Sequence, residues 1–306
     1  MNTRKRKYTT TILATALLFS LGGCVKDELH DTPHPDTGKV TVTVDWSDRG
    51  EGVDIPAEWT VTMGGYTGTE TGATHSPDYL FNPGSYTLAV YNPADDIMVS
   101  GTTAAVVQEA GNGAYISNTP GWLFSSVQEV AIEADTDYEL TAVMHQQVRK
   151  LTLMIEPAGD AAERIESIEG TLSGAAGTLD FATGTYGTPS EVELRFTKIT
   201  DGDDAGKWTA TVRLLGIAGN LQRLTATLTY TDGNPQPTSL NSDLTSALNG
   251  FNDGKTQYTE TEQVVRFVQK NDDGTMIPGL QSEQLVLALL DRHEKLNTRF
   301  PSEQNA

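Results

Sequence analysis

Residues 39–46, Lys-Val-Thr-Val-Thr-Val-Asp-Trp, set a pattern that most of the chain repeats. Val40, Val42, Val44 and Trp46 fall on one side of an extended backbone, and Thr41, Thr43 and Asp45 on the other. That is the period of a half-buried strand. A second strand is predicted over Trp59–Met63, ended by Gly64-Gly65. Asn82-Pro83-Gly84 reads as a turn, after which Tyr86, Leu88 and Val90 alternate as far as Asn92-Pro93. Further strands are predicted at Ile97–Val99, Val127–Ile132 and Tyr138–Met144, where Tyr138, Leu140, Ala142 and Met144 share a face. Short strands with turns at intervals of about 8–12 residues predict a β-sandwich.

Leu151, Leu153 and Ile155 open a second series only a few residues after Met144, so one domain should pass into the next near Gln146. Strands follow at Ile165–Leu172, Leu179–Phe181 and Val192–Ile199. Asp201–Gly206 forms a hairpin loop. Trp208, Ala210, Val212 and Leu214 then share a face, as do Leu224, Ala226, Leu228 and Tyr230, and Asp243–Phe251 reads as a short helical or turn segment. The character changes after about Lys255. A strand is expected over residues 264–270, and Asn271–Gly274 is a turn. Ser282 is placed to cap a helix over Ser282–Thr298 that carries Leu285, Leu289 and Leu296, with Pro301 just past its end. The expected organisation is therefore all-β: a first domain over residues 39–146, a second over 147–256, and a tail with one helix over 257–306.

The first 23 residues follow another pattern. Arg4, Lys5, Arg6 and Lys7 precede a short apolar run that ends in Leu21-Gly22-Gly23-Cys24. A cationic end, a short apolar core and small residues at a cleavage site make a secretory signal. The core is too short to cross a bilayer, which takes about 20 apolar residues. Leu-Gly-Gly-Cys resembles a bacterial lipobox, and Cys24 is the only cysteine in the chain. The resemblance implies acylation of Cys24 and cleavage before it, leaving a lipid anchor in the outer-membrane lipid and a tether over residues 24–38. The alternative is an ordinary secretory leader with a chance cysteine. Lys26, Asp27 and Glu28 resemble the export signal that sends Bacteroidales lipoproteins to the outer face of the outer membrane. Their other reading is a solvated tether.

Charge narrows the partners. The chain carries a net −20, and removal of the four leader cations leaves about −24. Such a surface repels nucleic acid and anionic headgroups, so no nucleic-acid partner is expected and membrane contact falls to the lipid.

Several passages, in order and spacing, resemble the FimB-type minor fimbrial proteins of Bacteroidales, a family that includes anchors of type V pili. They are Val44-Asp45-Trp46, residues 120–124 (Pro-Gly-Trp-Leu-Phe), 144–153, Leu172-Ser173-Gly174, 207–216, Ser242-Asp243-Leu244 and Phe251-Asn252. The resemblance covers roughly residues 20–256 and stops where the tail begins. It implies two tandem transthyretin-like β-sandwiches, Cys24 as the lipid site, a place at the cell surface, and fimbrial subunits as partners. It carries no catalytic residue.

No enzyme constellation stands out, and no cofactor motif is present. His30, His34, His75, His145 and His293 are scattered without the spacing of metal ligands. Gly170–Gly174 lacks the G-x-S-x-G spacing. The Asp201–Asp204 loop has carboxylates for a hard cation, but a solvated hairpin turn explains it more simply, and the same holds for Asn271–Gly274. Trp46, Trp59 and Trp208 are in phase with core positions. Trp122, in a Pro-Gly context, is the tryptophan expected to be exposed and the candidate contact for a glycan or host ligand. Arg49, just beyond the first strand, is either a loop residue or a processing site of the kind used in related stalk fimbrillins. The expected function is a non-enzymatic, lipid-anchored fimbrial anchor at the base of a fimbrium. The alternatives are a stalk or tip subunit cut after Arg49 and a glycan-binding surface lipoprotein.

Overall fold

The structure is a computed structural model. It describes residues 36–253 apart from Glu51, residues 112–113, Asn118 and residues 159–161, and adds the backbone of Thr261–Val268 and Leu287–Leu289. In chain order the strands begin with β1 (Gly38–Asp45), β2 (Trp59–Met63), β3 (Tyr66–Glu70), β4 (Thr74–His75), β5 (Leu80–Phe81) and β6 (Gly84–Tyr91). Next come β7 (Ile97–Ser100), β8 (Thr103–Val106), β9 (Tyr115–Ile116), β10 (Phe124–Ile132), β11 (Asp137–Val143) and β12 (His145–Gln146). There follow β13 (Arg149–Ala158), β14 (Ile165–Asp180), β15 (Thr185–Arg195), β16 (Thr197–Lys198), β17 (Trp208–Leu214), β18 (Arg223–Tyr230), β19 (Thr238–Asp243), β20 (Thr261–Val268) and β21 (Leu287–Leu289).

These strands make four sheets around two cores. In the first half, β11-β1-β4, with β5 also on β1, stands with β12-β10-β6-β2-β3. The valines of the opening pattern do what alternation requires. Val40, Val42 and Val44 are buried with Trp59, Val61, Leu88, Val90, Phe124 and Met144, while Trp46 packs at the edge of this core. In the second half, β19-β18-β14-β15-β9 stands with β16-β17-β13-β20-β21. Leu151, Leu153 and Ile155 are fully buried there, among Ile168, Leu172, Leu194, Leu224, Leu228 and Leu240. The all-β reading and its sandwich-like layering therefore hold.

Both halves use one joint. The first strand of each takes a late strand in parallel: β1 pairs with β11 from Lys39↔Asp137 to Asp45↔Val143, and β13 pairs with β20 from Leu151↔Thr261 to Ala158↔Val268. Parallel neighbours cannot be joined by a tight turn, so each half must be traversed before its first sheet is complete.

Two features depart from expectation. A division near Gln146 assigns residues 97–116 to the first half, yet β8 pairs with β14 and β9 pairs in parallel with β15. Ala104, Val106, Ile116 and Leu123 are buried in the second core. Alternation gives the inward face of a strand but not which sheet it joins. In the tail, the expected strand over residues 264–270 is found as β20. Within the helix expected over Ser282–Thr298, Leu287–Leu289 are strand β21, antiparallel to β20. Short apolar runs satisfy both periods, and here pairing with an existing sheet decides. The remainder of that span, and the turn at Asn271–Gly274, lie outside the described residues.

Candidate functional site

Cys24, Lys26, Asp27 and Glu28 lie outside the described residues, which begin at Asp36, two residues before β1. β1 is the first described strand. It is a middle strand, with β11 on one side and β4 and β5 on the other.

Arg49 is exposed on the turn that leaves β1, where its N–H donates to the Trp46 carbonyl at 3.2 Å. Both neighbours are tied to the segment between the halves. Asp48 Oδ2 lies 2.6 Å from Nδ1 of His145. The buried N–H of Gly50 donates to Oε1 of Gln146 at 3.0 Å, and Gln146 Nε2 donates to the Val148 carbonyl at 3.0 Å. A Cβ at position 50 would stand 2.9 Å from Oε1 of Gln146, so a side chain there would displace that amide. The Arg49–Gly50 bond is thus held at both ends.

Trp122 is not the exposed ring that its Pro-Gly context suggests. It is half-buried and packs against both cores. The Arg213 guanidinium lies 5.5 Å from its ring centre. Arg213 also donates from Nε to the Pro120 carbonyl at 2.7 Å, and its backbone N–H donates to Thr119 Oγ1 at 2.7 Å. Asn92 holds the other side: Nδ2 donates to the Trp122 carbonyl at 2.8 Å, and Oδ1 accepts from the Phe124 N–H at 2.6 Å. Gly121 N–H donates to the Asp95 carbonyl, and a Cβ there would meet Asp95 N at 2.6 Å. Segment 119–124 is therefore a wedge clamped from both halves.

Arg149 forms a second clamp. It is 3% exposed and donates through Nη1 to the Gln147 carbonyl and Tyr186 hydroxyl and through Nη2 to the Asn252 carbonyl. Asn252 in turn exchanges two hydrogen bonds of 2.8 Å with the backbone of Ile217. Asn92, Arg149, Arg213 and Asn252 have no distinctive spacing. Their one sequence signal is a polar residue beside an apolar alternation.

The other candidates resolve into ordinary structure. Trp59 and Trp208 are buried, and Trp46 stands edge-on to Phe124 at 5.5 Å. His75 bridges Glu70 at 3.0 Å and the Tyr66 hydroxyl at 2.8 Å. Burial, reinforced by the Glu70 carboxylate, raises the Tyr66 phenol above its ordinary range. The Asp201–Asp204 loop closes as a hairpin, with Gly206 N–H on the Ile199 carbonyl and Asp204 paired to Lys207 at 2.7 Å. Among the described residues no three His, Cys, Asp or Glu side chains gather as a metal site.

The model of one protein family, the fimbrillin-A associated anchor proteins Mfa1 and Mfa2, matches residues 61–282. The chain belongs to this family. The match runs past residue 256, where the sequence resemblance stops, and takes in β20, which completes a sheet of the second half. Solved structures agree on the fold. The fimbrial anchor protein Mfa2 from Porphyromonas gingivalis superposes with a TM-score of 0.54 at 15% identity, covering 82% of this chain and 95% of that one. Two candidate adhesins from Bacteroides ovatus give TM-scores of 0.52 and 0.53 at 18% and 10% identity, covering 75% and 77% of this chain and 89% of each of theirs. No curated protein sequence matches the chain.

An unpaired strand at a sheet edge offers its N–H and C=O groups to another chain. In the first half, one lateral seam between the sheets is sealed by rings. His75 stacks on Tyr66 with centroids 6.1 Å apart, and Tyr79 packs on Tyr66 and Phe81. The opposite seam lies between β10 and β11, crossed by Gln128 Nε2 donating to the Thr141 carbonyl at 3.4 Å and, where β10 ends, by the Glu133 N–H donating to the Tyr138 hydroxyl at 2.8 Å.

Proposed function

We propose that this chain is the lipid-anchored base of a fimbrium, displayed on the outer face of the outer membrane. The observation that carries the reading is the family match over residues 61–282, to proteins described as fimbrillin-associated anchors. Acyl chains on Cys24 hold the base, since two or more buried chains give stable attachment where one gives marginal binding. Lys26, Asp27 and Glu28 direct the lipoprotein outward, and residues 24–38 serve as a tether. Two tandem transthyretin-like sandwiches, the second of them completed by β7–β9 and by β20, then meet the first fimbrial subunit by strand addition. The role is mechanical, and no catalytic step is needed.

Anchor is favoured over cleaved stalk subunit by the setting of β1. Its three valines fill the first core, and the turn bearing Arg49 is tied to His145 and Gln146. Cutting after Arg49 would take these valines out of the first core and leave a groove between β11 and β4, and the ties of the turn oppose that cut. The glycan reading loses its main support because Trp122 is engaged by Arg213 and by both cores. The test is Cys24→Ala in the native cell. Loss of acyl labelling with release of the protein from membranes supports the reading, and a labelled, membrane-bound variant refutes it.

A further inference from the structure

We infer that the outer edge of β11 is the docking strand for an extended, basic segment of the neighbouring fimbrial subunit. This rests on the fimbrial reading above and assigns its contact to one edge.

The edges of the structure are not equivalent. β11 is a seven-residue strand, Asp137–Val143, free of proline and glycine. It pairs with β1 along one side, and among the described residues no strand pairs with its other side. The other edges among the described residues are shorter, interrupted or covered: β4, β5 and β12 are two residues long, β21 three and β7 four. β9 and β16 are two residues long, and β15 carries Pro189 where its outer side is not covered by β9. β3 lies on the seam sealed by Tyr66, His75 and Tyr79. β19 is the nearest rival, but its inward residues Leu240 and Ser242 are already buried, so an added strand would cover little apolar surface there.

At β11 the apolar surface is still open. Val42 in β1 is fully buried, whereas Leu140, its register partner in β11, is only half-buried, as is Tyr138. The neighbouring β10 pairs with β12 only at Phe124 and Ser125, leaving its stretch to Ile132 without a strand on that side among the described residues. A strand laid beside β11 would accept its backbone hydrogen bonds and cover Leu140 and Tyr138 with alternate side chains.

Charge defines the occupant. Glu129, Glu133, Asp137 and Glu139 are exposed along β10, its turn and β11, with Lys39 across the β1 pair from Asp137. Glu129 is already bonded to Thr87. A second copy of this acidic chain suits such an edge poorly. A segment with apolar residues at alternate positions and Lys or Arg between them fits it, because complementary potentials across an interface set partner and register.

The experiment uses the full chain in fimbriated cells, with a photo-crosslinking amino acid in place of Thr141 or, separately, of Thr67 on β3. Both side chains are exposed. The expected result is a crosslink from position 141 to an alternating, Lys- or Arg-bearing peptide of a fimbrial subunit, with roughly tenfold less from position 67. Crosslinks of equal yield from both positions, or from 141 into its own chain only, overturn the assignment. Glu139→Lys with Thr141→Lys should release fimbriae into the medium while leaving the melting temperature unchanged. Deletion of the whole chain separates the two levels. If deletion sheds fimbriae and the double variant, folded as wild type, does not, the edge assignment fails alone. If deletion leaves fimbriae attached, the anchor reading fails with it.

Discussion

The guanidinium of Arg213, on β17 of the second half, sits 5.5 Å from the ring centre of Trp122, which also packs on the core of the first half. Together with the β7–β8 hairpin hydrogen-bonded onto β14, this makes the two cores one mechanical unit. In the proposed role, a base passing load from a fibre to its lipid anchor would need such coupling. Trp122→Ala should remove about 2 kcal/mol, less than the 3–5 typical of a fully buried ring because Trp122 is half-exposed. Calorimetry should show one cooperative transition in the wild type and two separated ones in the variant. A single transition shifted only slightly would mean that the wedge does not couple the halves.

Strand β1 is expected to be indispensable. Val42 has no exposed surface, and Val42→Ala removes two buried carbon groups at a cost of about 2 kcal/mol. Urea denaturation would read this as a lower midpoint with unchanged slope. An unchanged midpoint would mean that β1 is detachable.

Protection of the Arg49–Gly50 bond should depend on the segment between the halves. Gln146→Ala leaves the buried Gly50 N–H without its acceptor, a loss of about 1–3 kcal/mol. Combined with Asp48→Ala, it should turn a bond that resists an arginine-specific protease into a rapidly cut one. Equal cleavage of wild type and double variant, read by N-terminal sequencing, would show that the turn does not guard the site.

Acid should loosen the stitch between the halves. The carboxyl of Asp180 is held below its ordinary value of 3.8, first by the Thr102 hydroxyl on the β7–β8 hairpin and then by the N–H of Ala182. Asp243 is lowered in the same way by Thr245. A depressed carboxyl contributes stability that is complete above its unfolded pKa and is lost as pH falls through the folded one. The melting temperature of wild type should therefore exceed that of Asp180→Asn at neutral pH, and the gap should close as pH falls below about 4. A gap independent of pH would exclude the ionised carboxylate as its source.

Much of this architecture is legible in the sequence where one local rule suffices. Val40, Val42 and Val44, or Leu151, Leu153 and Ile155, declare strand and inward face by alternation alone. What alternation does not contain is the partner. Ile97–Val99 reads as a strand of the first half because nothing local records that it will pair with Thr103–Val106, or that Ala104 will sit opposite Leu179. Trp122 reads as exposed because a Pro-Gly context breaks the period, while the residues that engage it, Asn92 and Arg213, are distant in sequence. The tail misleads for a related reason: Leu285, Leu289 and Leu296 are at helical spacing, yet Leu287–Leu289 is drawn into strand by β20. Arg149 illustrates the limit, since a buried guanidinium bonded to carbonyls and a phenol looks in sequence like any surface arginine.

The most direct test of the anchor account is where the chain sits on a fimbrium. Gold-labelled antibody against residues 39–253, applied to intact fimbriated cells, should mark the cell-proximal end of each fibre. Label along the shaft or at the distal end would contradict the account.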